Sequence, residues 1–122
     1  MGSKILVVED NLLNMELIVD WLEAHDHEVL QAYDGAKGLS LARSETPALV
    51  LMDIALPGMD GVEATRILKS DEGTAHIPII AVTASSMRVD REALIEAGCA
   101  AVVFKPIDFG QLQDEIERVL AI

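Results

Sequence analysis

Ala48-Leu49-Val50-Leu51-Met52-Asp53-Ile54-Ala55-Leu56-Pro57-Gly58-Met59-Asp60-Gly61 is the stretch that decides how this chain folds. The unbroken apolar run from Ala48 to Met52 stops at one carboxylate, Asp53. A strand with one wet face alternates apolar and polar residues, so an unbroken run predicts a strand covered on both sides, as in a parallel sheet. Ligands of open parallel sheets bind beyond the carboxyl ends of the strands, which makes Asp53 a candidate site residue. Pro57, Gly58 and Gly61 read as a turn, and Asp60 with Glu63 as a capping box that starts a helix. The unit is strand, loop, helix, with Asp53 at the lip.

The same unit recurs on either side. Lys4 to Val8 is a second apolar run; it ends in Glu9-Asp10 and is followed by Asn11, a good helix N-cap. From Leu12 to His25 the pattern predicts an amphipathic helix with Leu13, Leu17 and Val19 to Leu22 on its apolar face. Trp21 lies roughly 15 Å along that helix from the acidic end, which makes it a packing residue. His25-Asp26-His27 carries ligand-type side chains but has no third cluster beside it, and the helix dipole favours histidine at a C-terminus in any case. Glu28 to Ala32 carries polar residues and suits an edge strand. Asp34 caps the next helix, which has Ala36, Leu39, Leu41 and Ala42 on its face and ends before Thr46-Pro47.

Beyond Asp53, a helix is predicted over 62–69, then a polar turn with Gly73 and a strand over 76–82 with Pro78 near its start, ending in Thr83. A helix over 85–97 has a weak apolar stripe of Met87, Val89, Leu94 and Ile95, and Gly98 stops it. Ala101 to Phe104 is the fifth strand, ending in Lys105-Pro106. Asp108 and Gln111 have capping-box spacing ahead of a last helix with Leu112, Ile116, Val119 and Leu120 on one face. Alternation with right-handed crossovers makes this an α/β, doubly wound, five-stranded parallel sheet with five helices. One sheet edge then collects Glu9, Asp10, Asp53, Thr83 and Lys105 from four strand ends. Loops are polar anyway, so each residue alone is weak; three acids, a hydroxyl and a lysine together are not.

At 122 residues, half of them apolar, the chain holds one core and is expected to be one domain. Nine Lys and Arg against 21 Asp and Glu give a net charge of −12, which argues against a nucleic-acid surface. The single cysteine, Cys99, excludes an internal disulfide, and no Cys/His cluster has zinc spacing; a reducing cytoplasm fits. No stretch approaches the ~18 apolar residues of a membrane span, and the run from Ile5 to Val8 is too short for a signal peptide.

Three carboxylates brought together repel one another and must either raise their pKa values or recruit a cation. Oxygen ligands without His or Cys suit Mg²⁺, which keeps waters and leaves room for a phosphate oxygen. Lys105 offers a point charge and Thr83 a hydroxyl to phosphoryl oxygens. Asp53 is then the nucleophile that forms an acyl phosphate, with Mg²⁺ offsetting the repulsion between anions.

Val8-Glu9-Asp10-Asn11, Leu51-Met52-Asp53 with Pro57 and Asp60-Gly61, Val82-Thr83-Ala84, Gly98-Cys99 and Lys105-Pro106-Ile107 together resemble the response-regulator receiver domain, the CheY-like family, over nearly the whole chain. Stand-alone receivers of the DivK type are the nearest in pattern. The resemblance implies the flavodoxin-like strand order 2-1-3-4-5 and residues 1–122 as a single receiver domain. It implies Asp53 as phosphoacceptor, and Glu9, Asp10, Asp53 and the backbone carbonyl of Ala55 as Mg²⁺ ligands. Thr83 and Lys105 would hold the phosphoryl group, and the Lys105–Pro106 bond would be cis. The implied partners are a histidine kinase or histidine phosphotransfer protein as donor and a downstream protein target, with no nucleic acid and no membrane. Docking would use the first helix, or the face of the fourth helix, fifth strand and fifth helix.

One departure matters. Val102 stands three residues before the lysine, where the family usually has a Tyr or Phe that turns inward as the threonine moves. Phe104 is expected on the opposite side of the pleat and so not to substitute, which shifts the output to the Thr83 loop and the 85–97 helix. Ala55 and Ser85, two residues beyond Asp53 and Thr83, lack the acid or amide that positions attacking water in some relatives, so slow self-dephosphorylation is expected. Ala84 is small, as access to Asp53 requires. Two other classes compete: a phosphatase of the haloacid-dehalogenase type, which needs a second acid where Ala55 stands, and an adaptor that binds its partner without phosphorylation.

Overall fold

The computed structural model describes residues 2–56, 58–59, 61–84 and 91–121. Along the chain run β1 (Lys4–Val8), α1 (Leu12–Ala24), β2 (Glu28–Ala32), α2 (Gly35–Glu45), β3 (Leu49–Asp53), α3 (Gly61–Ser70), β4 (Ile79–Ala84), α4 (Arg91–Ala97), β5 (Ala101–Lys105) and α5 (Phe109–Leu120). The strands lie in the order β2-β1-β3-β4-β5, every neighbouring pair parallel, which is the expected doubly wound order. As its polar residues foretold, β2 is an edge strand.

The apolar runs divide by the pleat, since successive side chains of a strand point to opposite faces. Leu6, Val8, Val50, Met52, Ile79, Ala81 and Val102 meet Leu39, Ala42, Ala64, Leu68 and Leu94 of α2, α3 and α4. Ile5, Val7, Leu49, Leu51, Ile80, Ala101 and Val103 meet Met15, Ile18, Val19, Leu22, Leu112 and Ile116 of α1 and α5. Two half-cores of about equal weight thus hold the sheet, and its carboxyl edge projects from between them.

Helix starts follow the sequence closely. The side chains of Asn11, Asp34 and Asp108 accept from the backbone N–H groups of Asn14, of Lys37, and of Gly110 and Gln111 respectively. Asp60 of the expected capping box lies outside the described residues, as does 85–90 of the expected fourth helix. His25 Nδ1 lies 2.8 Å from the Trp21 carbonyl, and His27 Nδ1 accepts from Ser3 N–H at 3.0 Å. Trp21 packs its ring on His25 and Phe109.

Three expectations need correction. β4 begins at Ile79, not His76. Residues 71–77 form turns tied down by Thr74 Oγ1 donating to Leu68 O at 2.6 Å and Lys69 Nζ donating to Ile77 O at 2.7 Å. Pro78 has no N–H to give the ladder, but its carbonyl still accepts from Val50 N–H at 3.0 Å. On α1 the buried stripe is Met15, Ile18, Val19 and Leu22, the i, i+3, i+4, i+7 set; Leu13 and Leu17 fall off it. With Leu12 they are 64%, 51% and 72% exposed. Finally, Val102 and Phe104 share one side of the sheet. Residues two apart on a strand point the same way, and Phe104 packs against the half-core that contains Val102.

Gly61 sets how closely α3 approaches the strand that carries Asp53. Its N–H donates to Ile54 O at 3.0 Å, and a Cβ there would lie 2.7 Å from Ile54 Cα and 3.0 Å from the Asp53 carbonyl oxygen. Backbone on both sides leaves no room to yield, so Gly61→Ala is expected to lower stability by ~1–3 kcal/mol. Urea titration checks this: the midpoint falls with an unchanged slope, and an unaltered midpoint would show that the contact relaxes at no cost.

Candidate functional site

Register brings the singled-out residues to one edge. Asp53 pairs with Val82, so Thr83 extends one residue further toward the carboxyl edge; Thr83 pairs with Phe104 and Ala84 with Lys105. Glu9 follows β1 directly, its N–H continuing the ladder to Ala32 O at 3.0 Å. Glu9, Asp53 and Thr83 are 1%, 4% and 1% exposed, whereas Asp10 is open to solvent. Facing carboxylate oxygens of Glu9, Asp10 and Asp53 all lie within 4.8 Å of one another.

Each buried carboxylate is held at both oxygens. Glu9 Oε2 accepts from Asn11 N–H and Asp53 Oδ1 from Ala55 N–H, both at 3.0 Å. The other oxygens share one ammonium: Lys105 Nζ is 3.1 Å from Glu9 Oε1 and 3.2 Å from Asp53 Oδ2. Burial pushes the Glu9 carboxyl above its usual range; the Asn11 amide opposes this and Asp53 reinforces it. For Lys105 burial alone favours the neutral amine, but the Asp53 and Glu9 carboxylates outweigh it and hold the ammonium above the ordinary lysine value.

Thr83 stands apart from these pairs. Its hydroxyl is buried and has no hydrogen-bond partner, in a fold where buried polar groups are almost always satisfied. The Lys105–Pro106 peptide is cis, as the resemblance implied. The donor set fits a divalent cation: all its atoms are oxygens, and three carboxylates against one ammonium leave two negative charges to balance.

Sequence reasoning singles out Glu9, Asp10, Asp53, Thr83 and Lys105; the structure sets all five at the carboxyl edge of the sheet, with the three acids clustered, Lys105 on two of them and Thr83 one residue beyond the strand partner of Asp53. That reasoning missed the backbone amides of Asn11 and Ala55, for which residue type carries no signal. Lys105 was assigned to an incoming phosphoryl group, not to a bridge between two acids. Also unread was a groove of about 460 Å³ running from Lys105 and Pro106 along Ile107 and Phe109 to Leu17 of α1. The off-stripe position of Leu17 was the available clue.

A family model described as the response regulator receiver domain matches residues 5–117. The polar-differentiation response regulator DivK of Brucella ovis is 43% identical over 120 residues, covering 98% of each chain. Among solved structures, the receiver domain of a sensor histidine kinase from Pseudomonas aeruginosa PAO1 is 34% identical with a TM-score of 0.90 over 100% of both chains, and it holds a magnesium ion coordinated in its active site cleft. A putative response regulator from Chloroflexus aurantiacus, 25% identical, superposes with a TM-score of 0.94 over 100% of both chains. With a family model spanning most of the chain and a relative matched end to end, the chain belongs to the response regulator receiver domain family of two-component signalling.

Proposed function

We propose that Asp53 takes a phosphoryl group from a phosphohistidine donor and that the chain acts as a single receiver domain whose protein contacts change as a result. One Asp53 carboxylate oxygen attacks phosphorus, the P–N bond to the donor imidazole breaks, and the electron pair leaves with the imidazole. The product is an acyl phosphate on Asp53. The observation that carries this reading is the orphaned hydroxyl of Thr83, buried one residue beyond the partner of Asp53 and lacking an acceptor that a phosphoryl oxygen would supply. Lys105, already on Asp53 Oδ2, needs only to follow the oxygen as charge builds on the transferred group. Glu9, Asp10, Asp53 and the Ala55 carbonyl would hold Mg²⁺, which would supply the neutralisation that lets two anions meet.

Leu12, Leu13 and Leu17 expose their side chains at the end of α1 nearest the site, and the groove beside Leu17 leads to Lys105. That apolar rim suits a helix of a histidine kinase or histidine phosphotransfer protein, with a downstream protein target using the altered surface afterwards. Among the described residues no helix is long and apolar enough to cross a membrane. The cytoplasm, where a buried thiol such as Cys99 stays reduced, is the proposed compartment. Ala55 is exposed at the lip and has only a methyl group with which to order water, which supports a long-lived acyl phosphate; Ser85, the other residue invoked for this, lies outside the described residues.

Incubation with Mg²⁺ and acetyl phosphate should add the mass of one phosphoryl group to the wild type, which persists for minutes or longer, and none to Asp53→Asn. A gain in the variant would move the acceptor elsewhere, and decay within seconds would refute the role given to Ala55. Asp10→Asn should weaken Mg²⁺ binding about tenfold or more by calorimetry, since it replaces a charged carboxylate ligand by a neutral amide oxygen; unchanged affinity would take Asp10 out of the metal site. Leu17→Glu should slow transfer from a phosphorylated histidine phosphotransfer protein while leaving labelling by acetyl phosphate intact. Equal slowing in both assays would place the effect in the site and not in docking.

A further inference from the structure

At the amino edge of the sheet, opposite the acids, the end of α1, the residues ahead of β1 and the start of β2 meet at one ring, that of His27. Asp26 takes the left-handed conformation, with φ 68°, and turns the chain beneath the helix end, where His27 N–H donates to Leu22 O at 3.1 Å. The chain ahead of β1 lies across this turn so closely that a Cβ on Gly2 would overlap the Asp26 carbonyl oxygen. Ser3 N–H then donates to His27 Nδ1 at 3.0 Å, and Ser3 O accepts from Glu28 N–H at 3.0 Å. These bonds begin the β1–β2 ladder, whose first paired residues are Lys4 and Glu28. His27 itself is 9% exposed.

A backbone N–H can donate only to a lone pair. Nδ1 is therefore bare and the ring neutral, with its proton on Nε2. Protonation places a hydrogen on Nδ1 aimed at the Ser3 N–H, so two donors face each other and the bond is lost. Burial is the first cause that holds the His27 pKa below the ordinary histidine value; His25 and the terminal amine act in the same direction, and Asp26 opposes them. Of the neighbouring charges on the strands, Lys4 is turned to Glu45 Oε1 at 3.4 Å and Glu28 is exposed to solvent. Beyond Ser3 the strand is held from the β3 side as well, Ala48 N–H donating to Lys4 O at 2.8 Å, which confines any release to this corner.

We propose that His27 is an acid-sensitive latch: its neutral ring ties the residues ahead of β1 to the end of α1 and the start of β2, and protonation releases them. Well above the ordinary histidine value the ring is neutral in folded and unfolded chains alike, and the latch contributes in full. As pH falls, unfolded chains take up the proton first, and the contribution is lost down through the folded-state value.

Uniformly ¹⁵N-labelled wild type tests this without a variant. At about pH 8 the long-range ¹H–¹⁵N spectrum should show His27 with its proton on Nε2, and a coupling across the hydrogen bond should join the Ser3 amide nitrogen to His27 Nδ1. On titration to about pH 5 that coupling should vanish, and the Ser3 and Glu28 amide signals should move with the His27 midpoint while that of Ala48 stays. His27→Asn offers an acceptor oxygen that does not titrate in this range. Relative to it, the folded-to-unfolded ratio of the wild type from urea titration should fall by up to about tenfold per pH unit. A proton on Nδ1 at the alkaline end would overturn the proposal. So would Ser3 and Glu28 signals that stay still as His27 titrates, or a difference between wild type and His27→Asn that is the same at every pH. Equal movement at Ala48 would mark a general acid transition and overturn it too. Should His27→Asn fail to fold, the wild-type spectra decide alone.

Discussion

The ammonium of Lys105 between the carboxylates of Glu9 and Asp53 is the contact on which the organisation of this molecule turns. Two acids at the ends of adjacent buried strands repel each other. At 4 Å that repulsion grows from about 1 kcal/mol in water to about 4 kcal/mol at the effective dielectric of a protein surface. The fold tolerates it because each acid is also anchored by a backbone amide and because one cation serves both. The upward displacement of the Glu9 carboxyl is the residue of that conflict, arising first from burial and reinforced by Asp53. Lysine suits such a bridge: its charge is compact, and its flexible stem lets the contact be re-aimed without moving β5.

A site built in this way is responsive because it is incompletely satisfied. Lys105 answers part of the negative charge, Asp10 faces water, and the Thr83 hydroxyl has no partner. Each deficit has its own remedy, a divalent cation for the charge and an anionic oxygen for the hydroxyl. The remainder of the molecule is conventional by comparison. Two apolar half-cores clamp a parallel sheet and leave its carboxyl edge projecting from between them. Stability lies in the layers, and function in the rim that they fix in place.

The fold was legible because the strongest signals are collective. Runs such as Ile5–Val8 and Ala48–Met52 are too apolar for anything but two-sided burial, and capping residues such as Asn11, Asp34 and Asp108 mark helix starts locally. The site followed from topology, since parallel strands deliver their last residues to one edge. What failed to show was whatever depends on angle or on backbone. The leucines of α1 look equivalent in one dimension, and only the helical phase separates Ile18, inside, from Leu17, outside. Pro78 could be placed near a strand start but not just before one. The error over Phe104 was one of parity: counting in twos from Val102 puts it on the same face, and the structure agrees.

The bond from Lys105 to Glu9 spans 96 residues of chain, and that from Lys105 to Asp53 spans 52. Contacts between such distant partners require long intervening loops to be closed. A chain without β5 lacks the one cation that stands between Glu9 and Asp53. Only when the last strand has docked does the cation arrive between them. The charge arrangement at this edge is thus a property of the finished fold, absent wherever β5 is not docked.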